Sequence, residues 1–221
     1  MKGYGQFCPI AKASEILGER WTNLVIRELG AGSESFNDLR RGLPLISPTL
    51  LSTRLQTLEK AGVVLREESE HGVRYTLTEA GRELKPVILA IGAWGNRWAK
   101  SNLGRDDLDP GMLMWDIHRT MNADYFEPGR TVIMVQFKDY WAKKKRWWLV
   151  ITDGEVDVCM KDPGYETDLI LRTDVYTLTA IWMGDITLQK ALREKLLEAT
   201  GNSRLKKDIG DWLGANYFAS A

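Results

Sequence analysis

The sequence predicts an α+β fold in two domains, and three observations lead to this prediction. The chain has 221 residues, enough for one large domain or two ordinary ones. Its periodic segments change from helices followed by one hairpin to strands followed by helices. A charged, turn-rich segment at residues 104–111 separates the two halves. We therefore expect domains at residues 1–104 and 108–221.

Formal charge divides the chain at the same place. Residues 1–105 contain 15 basic and 11 acidic side chains, whereas the remainder contains 15 basic and 19 acidic ones. A basic first domain beside an acidic second one indicates different partners for the two. No apolar run approaches the ~20 residues of a membrane-spanning helix, and the N-terminus does not have the pattern of a secretory signal. We expect a cytoplasmic protein without a membrane partner.

Capping residues mark the elements of the first domain. Pro9 fits the first turn of a helix, and Ser35, Ser47 and Thr78 are good N-cap residues before helical patterns. Two β-favouring runs flank the turn at Gly72. These signals predict helices at residues 8–17, 21–29, 35–42 and 47–61, strands at 63–67 and 73–77, and a long helix at 79–102 with a kink at Pro86.

The second domain reads as a sheet followed by helices. Asp153-Gly154 between two apolar runs is a strong hairpin signal. The pattern predicts a helix at residues 112–121, strands at 131–137, 146–152, 155–160 and 167–172, and helices at 175–183, 188–199 and 203–213.

Three helices, then a fourth helix and a two-stranded hairpin, predict a winged helix-turn-helix domain. Such a domain places one helix in the major groove of DNA. The fourth helix starts with Ser47 and Pro48, and its core stripe is Leu51, Leu55 and Leu58. Its opposite face carries short hydrogen-bonding side chains suited to reading bases, namely Thr49, Ser52, Thr53 and Gln56. The alternative is an exposed polar face without a partner.

Arginines beside this helix are candidates for contacts with DNA phosphates. Arg40 and Arg41 end the preceding helix, and Arg74 and His71 lie in the hairpin. Acidic residues at 67, 68 and 70 oppose such a role for the hairpin. The alternative for the arginines is an ordinary solvated position.

A set of short segments in one order resembles the HxlR-type winged-helix regulators over residues 8–100. The segments are Cys8-Pro9, Leu17-Gly18-Glu19-Arg20-Trp21, Ile26-Arg27-Glu28-Leu29, Phe36-Asn37-Asp38-Leu39-Arg40, Ile46-Ser47, Leu55-Gln56-Thr57-Leu58-Glu59 and Tyr75-Thr76-Leu77-Thr78-Glu79-Ala80-Gly81. The resemblance implies a dimeric regulator joined through the first helix and the long helix 79–102. We expect this homodimer to bind a pseudo-palindromic site in double-stranded DNA, because two fourth helices can then occupy successive major grooves. Interface candidates are Ile88, Ile91, Trp94 and Trp98, whose alternative role is core of their own domain.

Cys8 precedes the first helix, where backbone N–H groups and the helix dipole favour a thiolate. Some members of the family that this chain resembles use a cysteine in this region as a sensor of oxidants or electrophiles. Cys8 is therefore a candidate thiol sensor, and the alternative is a small packed residue.

The second domain holds six of the nine tryptophans and resembles sterol carrier protein type 2-like domains over residues 125–215. The segments that carry this resemblance are Trp147-Trp148-Leu149-Val150-Ile151-Thr152-Asp153-Gly154, Asp168-Leu169-Ile170-Leu171-Arg172-Thr173-Asp174, Ile181-Trp182-Met183-Gly184-Asp185, Ala191-Leu192 and Trp212-Leu213. The resemblance implies an apolar tunnel for a lipid or other apolar small molecule. Candidate lining residues are Trp148, Val158, Met160, Leu178, Trp182, Met183 and Trp212, each of which can instead belong to the core.

Catalysis is not expected. The sequence has no Gly-x-Ser-x-Gly elbow, P-loop, dinucleotide fingerprint or HExxH motif, and its two cysteines and two histidines indicate no metal site or cofactor. The basic run at residues 143–146 is interpreted as a solvated turn. The function predicted is a DNA-binding regulator that responds to an apolar ligand. Two alternatives stay open: a lipid-binding protein that has lost specific DNA binding, and a regulator whose second domain is purely structural.

Overall fold

The structure is a computed structural model that describes residues 3–70, 72–99, 104, 107–140 and 145–219. The chain forms two compact units, residues 1–99 and 100–221. Across the described ranges, no helix is both long and apolar enough to cross a bilayer.

The first unit has the predicted order of a winged helix-turn-helix domain. Ser35, Ser47 and Thr78 each accept the backbone N–H three residues later, as expected of N-caps. The elements are α1 (Pro9–Leu17), α2 (Thr22–Gly30), α3 (Phe36–Gly42), α4 (Pro48–Lys60), β1 (Val64–Ser69), β2 (Gly72–Leu77) and α5 (Glu79–Trp98). Helix α5 ends at Trp98 rather than near Asn102, a position outside the described residues.

The second unit is built on a mixed five-stranded sheet. Its elements are α6 (Pro110–Thr120), β3 (Arg130–Phe137), β4 (Arg146–Thr152), β5 (Glu155–Cys159), β6 (Leu169–Thr173), α7 (Val175–Trp182), α8 (Leu188–Arg193), β7 (Glu198–Gly201), α9 (Ser203–Lys207) and α10 (Ile209–Trp212). The strand order is β5-β4-β3-β6-β7. Strands β3 and β6 run parallel, which requires a crossover connection between β5 and β6, and the other neighbouring pairs are antiparallel.

Strand β4 buries both of its faces. Trp147, Leu149 and Ile151 belong to the main hydrophobic core of the unit, whereas Trp148 and Val150 belong to a second cluster with Val132 and Met134. Successive side chains of a strand point to opposite faces of the sheet. The continuous apolar run of this strand therefore reflects burial on both faces.

The end of the chain differs from the prediction. The helix predicted at residues 188–199 ends at Arg193, Lys195 adopts a left-handed backbone conformation (φ 56°), and residues 198–201 form strand β7. This strand pairs antiparallel with β6, so that Leu171 faces Ala199 across the ladder. The helix predicted at residues 203–213 is two short helices, α9 and α10. Pairing with a distant strand has overridden the local helical pattern.

Candidate DNA-binding site

Helix α4 presents two chemically different faces. Leu51, Leu55 and Leu58 are fully buried in the first core. Thr49, Thr53 and Gln56 are exposed on the opposite face, with Ser52 half-buried beside them. The helix is thus anchored by leucines while its hydrogen-bonding side chains face outward, as the sequence predicts.

The N-terminus of α4 is exposed at Ser47 and Pro48. The Ser47 hydroxyl accepts the backbone N–H of Leu50 at 3.2 Å, which fixes the start of the helix. Further along, the Thr53 hydroxyl donates to the carbonyl of Thr49 at 2.9 Å. Its oxygen keeps acceptor capacity for an outside donor such as a base amino group.

The candidate phosphate-binding arginines lie in different surroundings. Arg40 is exposed at the end of α3. Arg41 is paired with Asp38 at 3.1 Å, and Arg74 is paired with Glu34 at 2.6 Å. The Glu34 carboxylate raises the pKa of Arg74 by accepting its hydrogen bond. Arg74 is therefore tied to the loop before α3, whereas Arg40 extends into solvent; His71 lies outside the described residues.

Glu28 is a fully buried glutamate that links α2 to the segment before α4. The sequence patterns did not predict this role. Its Oε1 accepts the Arg27 guanidinium at 2.7 Å, and its Oε2 accepts the Ser33 hydroxyl at 3.2 Å. Arg27 also donates to the carbonyl of Gly42 at 3.2 Å, at the end of α3. Helical spacing offered the signal, because Glu28 shares the apolar face of α2 with Val25.

Large apolar side chains are exposed along the N-terminal segment and one side of α5. Phe7 is 99% exposed, and Ile10 and Ile91 are exposed as well. Trp94 and Trp98 are 63% and 66% exposed. Ile88, the remaining interface candidate, is partly buried against the first core.

Cys8 is the N-cap of α1 and is half-buried. Its carbonyl accepts the Lys12 N–H at 3.1 Å, while its side chain makes no capping hydrogen bond. Cys8 therefore stands at the start of the first helix, as expected from the sequence.

The structure does not bring the seven candidate ligand-binding residues together. Leu178, Trp182 and Trp212 are buried in the main core of the second unit, and Val158 packs partly against it. Trp148 lies on the opposite face of the sheet, and Met160 is 58% exposed beyond β5. Of the seven, Met183 lines an open cavity.

That cavity has a volume of about 700 Å³ and lies within the second unit. Asp139 and Asp174 contribute carboxylates to its wall, and both accept hydrogen bonds from backbone N–H groups at the start of α7. Apolar and aromatic groups form much of the remaining wall, including Leu108, Tyr140, Val175 and Met183. Its size is within the range that accommodates small organic ligands.

Comparison with known proteins covers the first unit. Residues 16–103 match the HxlR-like helix-turn-helix family. The HTH-type transcriptional regulator YvaP of Bacillus subtilis (strain 168) is 37% identical over 97 residues, which are 42% of this chain and 90% of YvaP. The chain belongs to the HxlR-like helix-turn-helix family.

A second relative of this HxlR-like protein is the HTH-type transcriptional regulator YodB of the same Bacillus strain, which is 35% identical over 97 residues, 42% of this chain and 87% of YodB. The solved structure of the reduced form of YodB from B. subtilis aligns with 31% identity and a TM-score of 0.39, over 44% of this chain and all of that one. This HxlR-like protein is a DNA-binding transcriptional regulator.

Proposed function

We propose that the protein is a homodimeric regulator that reads a pseudo-palindromic site in double-stranded DNA with the exposed face of α4. The observation that carries this proposal is the pairing of a buried leucine stripe with an outward row of Thr49, Thr53 and Gln56 on one helix. Threonine hydroxyls and the glutamine amide match base-edge donors and acceptors in the major groove. Arg40, exposed at the end of α3, supplies a phosphate contact that positions the helix.

Dimerisation through the first and long helices is supported by the exposed apolar side chains there. Phe7, Ile10, Ile91, Trp94 and Trp98 would remain in water in a monomer. Exposed apolar patches, such as the one along one side of α5, mark interaction sites in proteins. Two copies would offer two α4 helices to successive major grooves, about 34 Å apart along the DNA.

The decisive experiment is selection of a binding site from a random-sequence duplex library by the full-length protein. We expect a two-fold symmetric consensus, and the logarithm of the binding constant for it should fall linearly with the logarithm of salt concentration. A duplex with both half-sites scrambled is the control for non-specific binding. Recovery of no consensus, or a consensus bound equally well at low and high salt, would contradict the proposal.

We also propose a second function, a response to an apolar ligand, for the second unit. The cavity of about 700 Å³, with Val175, Leu108 and Met183 in its wall, supports it. The resemblance to sterol carrier protein type 2-like domains supports it as well, since the unit combines a sheet with helices around its main hydrophobic core. Removal of apolar ligand surface from water would supply the affinity, at about 25 cal/mol per Å².

Titration of the full chain with palmitic acid and with a hydrophobic dye, followed by tryptophan fluorescence, tests this second function. We expect saturable binding that Thr179→Phe weakens about tenfold or more, because Thr179 lines the cavity and a phenyl group would fill it. The matched control is Gln189→Phe at an exposed position of α8. Binding that is not saturable, or that both variants leave unchanged, would leave the second unit a structural domain.

A further inference from the structure

Arg54 lies on α4, yet its guanidinium is directed away from the row that we propose to read bases. Its Nη2 donates to Glu19 Oε2 at 2.7 Å, and its Nε donates to the backbone carbonyl of Arg20 at 2.9 Å. The side chain is only 12% exposed. Because these N–H groups of its guanidinium are engaged, Arg54 joins α4 to the turn between α1 and α2 and is not directed toward a DNA phosphate.

The backbone of that turn is strained at Trp21. This residue adopts a left-handed conformation with φ 77° and ψ −18°, which is unfavourable for a bulky side chain and persists only where its surroundings hold it. The Trp21 ring packs against the first core. The carbonyl of Arg20 belongs to the peptide bond before Trp21, so that its direction depends on the strained φ angle. Arg54 therefore holds the Arg20–Trp21 peptide group, whose orientation depends on the φ angle of Trp21.

The C-terminal end of α1 and the C-terminal part of α4 are separated by open space. An open cleft of about 910 Å³ lies between them, lined by Tyr4, Glu15 and Gly18 on one side and by Thr57 and Lys60 on the other. Since packing across an open cleft is weak, the polar link of Arg54 is well placed to set the relative position of the two helices.

We propose that Arg54 is a positioning residue for DNA recognition, which fixes the orientation of α4 on the α1–α2 turn. Glu19 and the Arg20 carbonyl are its partners. The inference rests on the proposed function, because it takes α4 as the helix that enters the groove.

The direction in which DNA affinity changes when Glu19 is substituted separates positioning from simple electrostatics. Removal of an acidic charge should by electrostatics alone strengthen binding to DNA, which is a polyanion. Loss of positioning should weaken it. We expect Glu19→Gln and Arg54→Met each to lower the affinity of the full-length protein for the site selected by the wild type by roughly tenfold, equivalent to one lost charge-assisted hydrogen bond. The double variant should be no weaker than Arg54→Met alone, because in this proposal the Glu19 carboxylate acts only through Arg54.

Salt dependence separates positioning from phosphate contact. Arg54→Met should leave the slope of log affinity against log salt unchanged, whereas loss of a phosphate contact reduces the slope by about one. The matched control is Arg82→Met, which removes an equal charge and an arginine-to-carbonyl bond, from Arg82 to Leu77 at 2.9 Å, elsewhere in the same unit. It should bind with wild-type affinity.

The inference is overturned if Glu19→Gln binds as tightly as the wild type or more tightly, or if Arg54→Met lowers the salt slope by one. If Arg54→Met fails to fold, Glu19→Gln decides by itself, since that side chain is about one-third exposed. A wild-type protein that selects no DNA site overturns the proposed function together with this inference. Wild-type binding with unaffected variants overturns this inference alone.

Discussion

The carboxylate of Glu28 occupies the space that a side chain on Gly42 would fill. A β-carbon built on Gly42 would come within 3.0 Å of the Glu28 carboxylate. Glu28 is fully buried and is held by Arg27 and Ser33. A charged group removed from water needs such partners, and it excludes any larger residue beside it. This contact ties α2 to the end of α3, immediately before the turn that leads into α4.

Gly42→Ala should destabilise the first unit by about 2–4 kcal/mol, because the added methyl group overpacks a buried site and displaces a hydrogen-bonded carboxylate. Urea unfolding followed by circular dichroism measures the change. The control is Gly30→Ala, where the new β-carbon would meet the Lys85 side chain at an ordinary 3.5 Å. That variant should be neutral or slightly stabilising, since alanine favours a helix. Equal stability of the two variants would refute the steric role assigned to Glu28.

Substitutions on α4 and α3 should separate base reading from phosphate contact. Thr49→Ala and Gln56→Ala should each reduce the preference for the selected site by about 1–3 kcal/mol for a lost base contact, while non-specific affinity stays nearly constant. Arg40→Ala should weaken binding to all sequences alike and reduce the salt slope by about one. Fluorescence anisotropy on the selected and scrambled duplexes measures both effects. Uniform weakening by Gln56→Ala would argue against base reading by that residue.

Trp94→Glu should convert the dimer into a monomer, because it places a charge in the apolar surface that we propose to be buried between two copies. Sedimentation velocity measures the change, and affinity for the palindromic site should fall ~100-fold or more as bivalent contact is lost. Ala93→Glu serves as control, since Ala93 is exposed and lies toward the opposite side of α5. A wild-type protein that sediments as a monomer would exclude the proposed dimer.

Cys8→Ser should abolish a response of DNA affinity to mild oxidants or electrophiles without altering basal binding. The physical reason is the position of Cys8 as the N-cap of α1, where its side chain makes no capping hydrogen bond. Cys8 should also be alkylated faster than Cys159, which packs beside the second cluster of the sheet. Mass spectrometry of alkylated peptides measures the two rates. Equal alkylation rates for the two cysteines, or a Cys8→Ser variant whose DNA affinity still responds to oxidants, would show that Cys8 is only a packed residue.

Local signals were sufficient for much of the fold and for the outer face of the candidate site. The caps at Ser35, Ser47 and Thr78 and the leucine spacing of α4 depend on residues within one or two turns, so they could be predicted without knowledge of the rest of the chain. The exposed row on α4 follows from the same spacing.

Tertiary structure decided what depends on residues far apart in the chain. Strand β7 exists because β6 offers it a partner, and the face that Trp148 occupies depends on the register of the sheet, in which neighbouring residues point to opposite sides. Arg54 donates hydrogen bonds to Glu19 and to the carbonyl of Arg20, which lie more than thirty positions earlier in the chain. The sequence by itself determined the winged-helix order and the two faces of α4, because helices form through contacts three and four residues apart. Only the packing of those helices decided which charged side chains are buried and which groups they bind.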